Sequence, residues 1–411
     1  MSNESRMFDV IVAGGGPIGL AFACSLSRLA AASDLKIGLV ERQSEDALRR
    51  PAFDGREIAV THRSQMLLRE LGAWERLPAE DIQPLREARV RNGTGERPLR
   101  FDPPGEGGGV LGHLVPNHRI REAIFAETAA ADRLELMTGA AVDSVRDEPD
   151  ATVVSLQDGR SLRTRLLVAA DSRFSRIRTM RGIGAATRSF GKTMMVCRVA
   201  HDEDHEQTAV EWFGYGQTMA MLPLRGRMSS AVVTLPPAEI EALMAMDEEA
   251  FGDALTRRYD GRLGRMRLAS TRHVYPLTSV YADRFVSRRF ALLGDAAVGM
   301  HPVTAHGFNL GLQGQHLLAT ALAGALARGA GVADPGALLH YEREHRRATR
   351  PLYLATNTTA MLYTNDSRPA RMLRDAALFC GGLPPIRRTI VAHLMERDRS
   401  GPPDHTASAA R

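Results

Sequence analysis

The sequence predicts an α/β fold that opens with a parallel strand–helix–strand unit. An apolar run at 8–13 is typical of a buried strand, small residues over 20–32 of a closely packed helix, and an apolar run at 36–41 of a second strand. The helix connects the two strands, so they should be parallel with a right-handed crossover. Further apolar runs at 166–171 and 290–295, and an Ala/Leu-rich helix over 310–327, extend the same sheet and its helical layer.

Three glycines mark the first strand-to-helix turn in the pattern Gly14-x-Gly16-x-x-Gly19. This spacing gives a tight turn, lets the backbone approach a pyrophosphate and places the amino end of a helix against it. Glu41 ends the second strand, about 20 residues downstream, where its carboxylate can accept both hydroxyls of an adenosine ribose. An acidic residue there disfavours a 2′-phosphate, so the pattern favours FAD or NAD over NADP. A glycine-rich turn without a ligand is the alternative.

A second segment rich in special residues, 294–311, favours FAD. It follows a strand with Asp295, crosses a loop that carries His301 and Pro302, and enters a helix at Gly307. Asp295 can hold a ribityl hydroxyl, and the new helix would direct its amides and dipole at the negative charge of a reduced flavin. A plain strand–loop–helix connection is the alternative.

Composition and charge exclude several other classes. The 411 residues allow two or three domains and a large core, and 44% hydrophobic with 25% charged residues excludes global disorder. The net charge of +5 comes almost wholly from arginine, and the main body has no long basic patch, so no nucleic-acid partner is expected. Three distant cysteines predict neither a disulfide scaffold nor a zinc site, and no metal is expected.

A cytoplasmic location is expected from the same composition. No signal peptide is visible at the start of the sequence, and the cysteine usage fits a reducing compartment. The longest apolar helical run, 317–327, is too short to span a bilayer.

Further motifs carry a family pattern: DGREIA at 54–59, LLRELGAW at 67–74, LGHLVPN at 111–117, LPL at 222–224 and YEREHR at 341–346. With the 294–311 segment, they make nearly the whole chain resemble the single-component FAD-dependent aromatic hydroxylases. The resemblance is to their ubiquinone-biosynthesis branch, with the demethoxyubiquinol hydroxylases as one candidate group. It implies a fold of the para-hydroxybenzoate hydroxylase type, in which a Rossmann-like FAD-binding fold carries an inserted mixed β-sheet substrate domain and C-terminal helices.

The resemblance also implies a set of cofactor-binding residues. Arg56 would contact the flavin or its phosphates, and Asn117 or Arg119 the linker of the cofactor. Asp171 and Arg178 would serve both FAD and the reduced nicotinamide. The full expected set is Gly14, Gly16, Gly19, Glu41, Arg42, Arg56, Asn117, Arg119, Asp171, Arg178, Asp295, Pro302, Gly307, Phe308 and Asn309.

Three positions depart from the family pattern. Ser172 replaces the glycine of an Asp-Gly pair, and serine tolerates a positive φ less well. Val298 replaces a histidine, and His306 lies in Thr-Ala-His-Gly where the family has Ala-Gly-Gln-Gly. His306, His301 and Tyr215 are the catalytic candidates, because a group that takes a phenolic proton keeps the substrate ring electron-rich. The alternatives are a tolerated substitution at 306, loop orientation by 301 and sheet packing by 215.

The activity that the resemblance implies is hydroxylation of an aromatic ring, with a polyprenylated phenol or quinol of ubiquinone biosynthesis as substrate. FAD would be reduced by NADH or NADPH and react with O2, and a flavin hydroperoxide would transfer its distal oxygen to the ring. The protein would bind, orient and exclude water. Three alternatives share the N-terminal motif: a flavin hydroxylase of another aromatic or secondary metabolite, a flavin-dependent prenyl reductase, and a flavin-binding scaffold subunit of a biosynthetic complex.

One interleaved unit is expected, not a row of separate domains. The FAD-binding domain would comprise 1–75, 100–178 and 276–365, the substrate sheet 76–99 and 179–275, and a helical tail 366–411. Helix breaks are expected at Pro351, Pro369 and Pro384. Within the tail, 386–395 predicts a short basic amphipathic helix that can lie on an anionic membrane surface, such as the inner membrane face. An ordinary solvated terminal helix is the alternative.

Overall fold

The computed structural model describes residues 6–93, 98–103, 109–214, 216–302, 306–364 and 367–395. The strands are β1 (Arg6–Ala13), β2 (Ile37–Glu41), β3 (Glu57–Val60), β4 (Gln83–Leu85), β5 (Glu87–Asn92), β6 (Leu99–Phe101), β7 (Gly112–Pro116), β8 (Leu134–Thr138), β9 (Val142–Asp147), β10 (Thr152–Leu156), β11 (Ser161–Ala169), β12 (Ala185–His201), β13 (Thr208–Phe213), β14 (Thr218–Pro223), β15 (Met228–Leu235), β16 (Met266–Leu268), β17 (His273–Ala282), β18 (Val286–Ser287), β19 (Phe290–Leu292) and β20 (Val298–Gly299). The α-helices are α1 (Pro17–Leu29), α2 (Glu45–Arg49), α3 (His62–Glu70), α4 (Asn117–Ala126), α5 (Arg176–Met180), α6 (Pro237–Ala245), α7 (Glu248–Arg258), α8 (Gly307–Ala327), α9 (Pro335–Thr364), α10 (Arg368–Gly382) and α11 (Pro384–Met395).

The first sheet carries the predicted strand–helix–strand unit. Its strand order is β18-β19-β11-β1-β2-β8, and β10 and β9 continue from β11. β1 pairs in parallel with β2 and β11, and β19 also joins β11 in parallel. α1 and α8 pack on each other, and their buried residues join those of these strands in one large core. The carboxyl ends of β1, β11 and β19 therefore meet at one edge, where parallel sheets place their ligands.

The second sheet has the order β20-β17-β12-β15-β14-β13-β5-β6, with β16 beside β12. Its residues alternate between two faces, as strand geometry requires. Met195 and Cys197 of β12 face a core shared with α6 and α7, whereas Met194 and Val196 line a cavity on the opposite face. The predicted domain limit at 276 falls inside β17, and the limit at 100 inside β6. The domain division stays a prediction.

Helix α9 continues through Pro351, where the sequence predicts a break. A helical proline normally costs about 3 kcal/mol, so other contacts must hold this helix. On one side of Pro351 the Tyr341 hydroxyl donates to the Leu292 carbonyl at 2.7 Å. On the other side Tyr353 is buried within the main core. Pro369 and Pro384 instead stand in the first turns of α10 and α11, the position that proline favours.

The C-terminal helices pack on the edge of the second sheet. Val391 and Met395 of α11 are buried against Phe101 of β6 and Leu111. Part of the apolar face of the predicted amphipathic helix is therefore used inside the molecule. None of the described helices is long and apolar enough to cross a bilayer.

Candidate functional site

A cavity of about 890 Å³ runs from the carboxyl edge of the first sheet to the face of the second. Its wall contains most of the residues that the sequence singles out. These are Gly14, Gly16, Gly19, Glu41, Arg42, Arg56, Asn117, Asp171, Asp295, His301, Pro302, Gly307 and Phe308. Segments distant in the chain thus contribute to one site.

The glycine turn forms a cradle that side chains would fill. Gly14 has φ +117°, and a Cβ there would lie 2.3 Å from the Ala170 carbonyl oxygen. A Cβ at Gly19 would lie 2.0 Å from the Gly14 oxygen, so both positions require glycine. At Gly16 no atom lies within 4 Å of such a Cβ, and Gly16 precedes α1 without a side-chain cap. The first amides of α1 therefore stand open to an anion.

Glu41 is held by the backbone at the end of β2. Its two carboxylate oxygens accept from the Gly15 amide at 2.6 Å and the Gln43 amide at 2.8 Å. A carboxylate has about four lone-pair positions, so two remain for hydroxyl donors in the cavity. The side chain thus fits the ribose role that the sequence predicts.

Asp171 presents an unsatisfied atom. One of its oxygens accepts from the Ile177 amide at 3.3 Å, whereas Oδ1 is buried with no partner among the described residues. Burial raises the pKa of this carboxyl, although hydrogen bonds oppose the shift. Such an orphaned acceptor fits a hydroxyl-bearing ligand. Ser172, the next residue, has φ +93°. The backbone therefore holds this serine in a conformation that favours glycine.

Asp295 pairs with an arginine that the sequence does not single out. Arg173 Nη2 lies 3.0 Å from Asp295, and Nη1 donates to the Thr278 carbonyl at 2.7 Å. This arginine therefore joins the loops after β11 and β19 to β17 of the second sheet. Asp295 still lines the cavity.

A polar cluster on α4 and the loop before β3 lies at the side of the cavity. Arg56 donates to Asp54 at 2.6 Å, Asn117 donates to the same oxygen at 2.7 Å, and the Tyr275 hydroxyl donates to the Asp54 carbonyl at 2.7 Å. Burial pushes the pKa of Asp54 upward, but the Arg56 charge and these hydrogen bonds outweigh it, so the pKa lies below its ordinary value. The Arg56 charge is thereby fixed at the cavity wall.

Arg121, and not Arg119, lines the cavity. Arg119 pairs with Asp81 at 2.9 Å and Glu122 at 2.8 Å. Asn117 and Arg121 are four residues apart on α4, so they share a helix face that Arg119 does not. Burial lowers the pKa of Arg121. The helical spacing is the signal that identifies this residue.

Three further predicted residues make contacts inside the protein and do not line the cavity. Arg178 is buried and donates to the Ala296 carbonyl at 2.8 Å, which ties α5 to the loop after β19. Asn309 accepts from the Thr61 amide and donates to the Ala59 carbonyl, so it anchors α3 to α8. His306 is buried at the start of α8 and is absent from the cavity wall. Tyr215 lies outside the described residues.

Of the two catalytic candidates that the structure describes, His301 lies in the cavity wall and His306 does not. Its ring packs edge-on against Phe190 with centroids 4.6 Å apart. Burial, with a smaller contribution from the Arg173 charge, lowers the pKa of His301 to about 4. The imidazole is therefore neutral near pH 7. Val298, the neighbouring departure, is buried in β20 opposite Tyr281.

The second sheet supplies an apolar wall to the same cavity. The side chains that form it are Met194, Val196, Phe213, Ala220, Leu222 and Val232. Tyr363 of α9 stacks on Phe213 with centroids 3.5 Å apart and closes this end. A flat apolar molecule can be held between such surfaces with water excluded.

Comparison with known proteins identifies the family. Residues 7–354 match the FAD binding domain family. The chain is 40% identical over 391 residues to the ubiquinone hydroxylase UbiM of Neisseria meningitidis, covering 94% of this chain and 84% of that protein. The chain belongs to this family of FAD-dependent hydroxylases. It is also 33% identical to the ubiquinone hydroxylase UbiL of Rhodospirillum rubrum, over 97% of this chain and 92% of the relative.

Solved structures share the fold. The p-nitrophenol 4-monooxygenase PnpA of Pseudomonas putida superposes with a TM-score of 0.75 at 18% identity, covering 96% of this chain and all of the other. The anhydrotetracycline hydroxylase OxyS of Streptomyces rimosus gives 0.71 at 24% identity, covering 97% and 77%. The α/β fold of the para-hydroxybenzoate hydroxylase type is thus confirmed.

Family membership makes the chain an FAD-dependent aromatic hydroxylase that uses NADH or NADPH with O2. The cavity fits FAD on its own chemistry. It offers a glycine cradle open at Gly16, a carboxylate with free acceptor positions at Glu41 and an orphaned acceptor on Asp171. The described residues contain no cluster of His, Cys, Asp and Glu that could hold a metal ion.

Proposed function

We propose that this hydroxylase acts on the ring of a polyprenylated phenol or quinol in ubiquinone biosynthesis. The observation that carries the proposal is the continuity of the nucleotide cradle with an apolar sheet face in a single cavity of about 890 Å³. A ring with an apolar chain suits that face, because burial of apolar surface drives its binding. The 40% identity to a protein named as a ubiquinone hydroxylase supports the same substrate class.

In this proposal the residues of the cradle hold FAD, which when bound supplies the transfer of one oxygen atom from O2 to the ring. The turn at 14–19 and the first amides of α1 would receive the pyrophosphate, and Glu41 the adenosine ribose. Asp171 and Asp295 would bind ribityl hydroxyls. Arg42, Arg56, Asn117, Pro302, Gly307 and Phe308 would contact the remaining parts of the cofactor, and Arg121 joins this set.

The protein would then contribute to the reaction by positioning the ring, excluding water and fixing the charges around the site. Phe213 and Tyr363 close the apolar end, so the ring would be held away from water. The neutral His301 can accept or donate a hydrogen bond without adding a charge to the site. Proton transfer by His306 stays a prediction. The ring is buried at the start of α8 and does not line the cavity, so a role for His306 would be to position other groups.

We also propose that the C-terminal helices touch an anionic membrane surface. Met372 and Leu373 of α10 are 73% and 60% exposed, and Leu383 and Ile386 near the start of α11 are 40% exposed. Arg387 of α11 is exposed next to Ile386 and pairs with Asp102 at 3.7 Å, so apolar and basic side chains lie together on this surface. A substrate with a polyprenyl chain would be reached from that surface.

Liposome pelleting tests the membrane proposal with variants that change only exposed residues and leave the packed residues of α11 in place. The double variant Met372→Gln and Leu373→Gln should pellet less with anionic liposomes than the parent protein. Leu339→Gln, which changes another exposed apolar residue at the start of α9, is the control. Equal pelleting of the double variant and the parent would refute membrane docking and leave a quinone-biosynthesis complex as the partner to test.

Deletion of the gene followed by mass spectrometry of lipid extracts tests the proposed activity. The expected result is accumulation of an under-hydroxylated polyprenyl phenol, with recovery on return of the intact gene. An unchanged quinone pool would overturn the substrate class while leaving the FAD-dependent hydroxylase family in place.

A further inference from the structure

A carboxyl group lies on the apolar sheet face of the cavity. Glu211 belongs to β13, where its cross-strand neighbours are Ala220 of β14 and Val90 of β5. It shares its face with Phe213, and the cavity wall includes Glu211, Phe213 and Ala220. Within the described part of the chain no hydrogen bond or ion pair involves Glu211. The carboxyl is therefore available to a molecule in the cavity.

The charged groups around Glu211 do not neutralise it. On β5, Arg89 and Arg91 pair with Val210 and Trp212, which places both arginines on the opposite face of the sheet. On β14 and β15 the polar neighbours in the cavity wall are the hydroxyls of Thr218 and Thr234.

Among the described residues of the helical side, the titratable groups Tyr363 and Arg374 are engaged elsewhere. Tyr363 stacks on Phe213. Arg374 of α10 lies over the Tyr363 ring at 5.3 Å and donates to the Leu362 carbonyl at 2.9 Å. Neither ion-pairs with Glu211 in the described structure.

A carboxyl that is half-buried among apolar side chains without a partner destabilises a fold, and a glutamine or an apolar residue would reduce that cost. No contact within the described chain requires Glu211, so its position is explained by a ligand. The aromatic hydroxyl of the proposed substrate class is a donor of suitable chemistry, and the apolar side chains around Glu211 suit the ring that carries it.

We propose that Glu211 receives the ring hydroxyl of the aromatic substrate, first as hydrogen-bond acceptor and then as base. In the second step the phenolic O–H bond breaks, an O–H bond forms on the carboxylate and the negative charge passes to the ring oxygen. The ring becomes more electron-rich while it is hydroxylated, and the proton returns to the ring oxygen as product forms. This assignment rests on the proposed function and names the catalytic residue that meets its substrate.

The acid–base properties of Glu211 agree with that role. Burial alone raises the pKa of Glu211 to about 8. A carboxylate of ordinary pKa is a weak base toward a phenol whose pKa is about 10, whereas one near 8 is better matched. The carboxyl is mostly neutral at pH 7 and mostly ionised at pH 9, so substrate binding and rate should both follow its ionisation.

Binding of 2-prenylphenol to the FAD-loaded protein tests the hydrogen bond without turnover. Its affinity should rise about tenfold between pH 7 and pH 9, as a charge-assisted bond replaces a neutral one. The methyl ether of the same compound has no proton to donate and should show no rise. Glu211→Gln should remove the rise, whereas Glu206→Gln, an exposed carboxylate before β13, should retain it. A rise that persists in Glu211→Gln overturns the proposal.

Turnover of the same probe tests the base. The kcat of the parent protein should increase with pH around a midpoint near 8. Glu211→Gln should lower kcat by about 100-fold or more and flatten the profile, with FAD content and flavin reduction by NADH unchanged. Parent-like kcat and pH dependence in Glu211→Gln would overturn the assignment. If the parent binds the phenol in the pH-dependent manner but forms no hydroxylated product, the proposed function fails and the binding role of Glu211 stands.

Discussion

Glu57 and Arg198 form an ion pair at 2.7 Å that joins β3, part of a separate three-stranded sheet of order β3-β7-β4, to β12 of the second sheet. Glu57 is buried and lines the cavity, and its second oxygen has no hydrogen-bond partner among the described residues. Burial raises the pKa of Glu57 to about 7, although the Arg198 charge opposes the shift. The contact between the two sheets thus depends on a carboxyl that titrates near neutral pH.

Replacing Arg198 with methionine should cost stability in a pH-dependent way. The folded pKa of Glu57 lies above its ordinary 4.5, so the folded state binds more protons and stability falls as pH rises from 4.5 to 7. Without Arg198 the carboxyl takes up a proton readily at about pH 5.5, where we expect a loss of about 1 kcal/mol. At about pH 8.5 the loss should reach about 3 kcal/mol, because the ionised group is buried unpaired. Urea denaturation measures both values, and adding Glu57→Gln should remove the difference between them. Equal losses at both pH values would contradict the pairing.

Ser172 holds a positive φ of 93° that favours glycine. Ser172→Gly should raise the free energy of unfolding by about 1 kcal/mol, because the strain of a non-glycine residue in this region is relieved. Ser172→Ala keeps the Cβ and should give no comparable gain. Urea titration of the FAD-loaded protein compares the three. A gain in the alanine variant equal to that of glycine would show that φ is not the cause.

Glu41→Gln should weaken FAD binding by about tenfold. An amide keeps one acceptor oxygen, but its NH2 group would face the Gly15 or Gln43 amide, and the fixed geometry that serves a ribose is lost. Fluorescence titration of the apoprotein with FAD measures the change. Glu45→Gln, an exposed carboxylate paired with Arg49, is the matched control. Unchanged affinity in Glu41→Gln would refute the ribose assignment.

His301→Gln should make the protein more resistant to acid. The folded pKa of about 4 lies below the ordinary 6.5, so the folded state binds fewer protons and stability falls as pH drops from 6.5 toward 4. Glutamine does not titrate, so its stability does not fall in this way. The melting temperature of the variant should therefore rise relative to that of the parent as the pH drops from 6.5 toward 4. Thermal melts at pH 7 and pH 4.5 test this. A constant gap at both pH values would contradict a buried neutral imidazole.

The sequence predicts those parts of the site that depend on local pattern. The turn from Gly14 to Gly19, the carboxylate of Glu41 and the strand-end Asp295 follow from strand and helix patterns, whereas Asp171 follows from the family resemblance. The sequence also predicts backbone strain at Ser172, whose φ of 93° lies in the region that favours glycine.

The remaining parts depend on packing between distant elements. Arg121 could have been preferred to Arg119 from its spacing to Asn117, but the face of α4 that meets the cavity is set by the sheets around it. Glu211 is a single acid in an apolar strand. Alternation places it with Phe213, but only the docking of α9 turns that face into a cavity wall. Pro351 does not break α9, because the Tyr341 hydrogen bond to β19 on one side and the buried Tyr353 on the other hold the helix in place.

The packing of α11 on β6 has a consequence for handling the protein. Val391 and Met395 cover Phe101 and Leu111 at the edge of the second sheet. Truncation before α11 would expose these apolar side chains next to the edge strand β6. An exposed apolar edge strand can pair with strands of other molecules. Shortened forms should therefore precipitate or self-associate, and their loss of activity would report aggregation instead of the chemistry of the cavity.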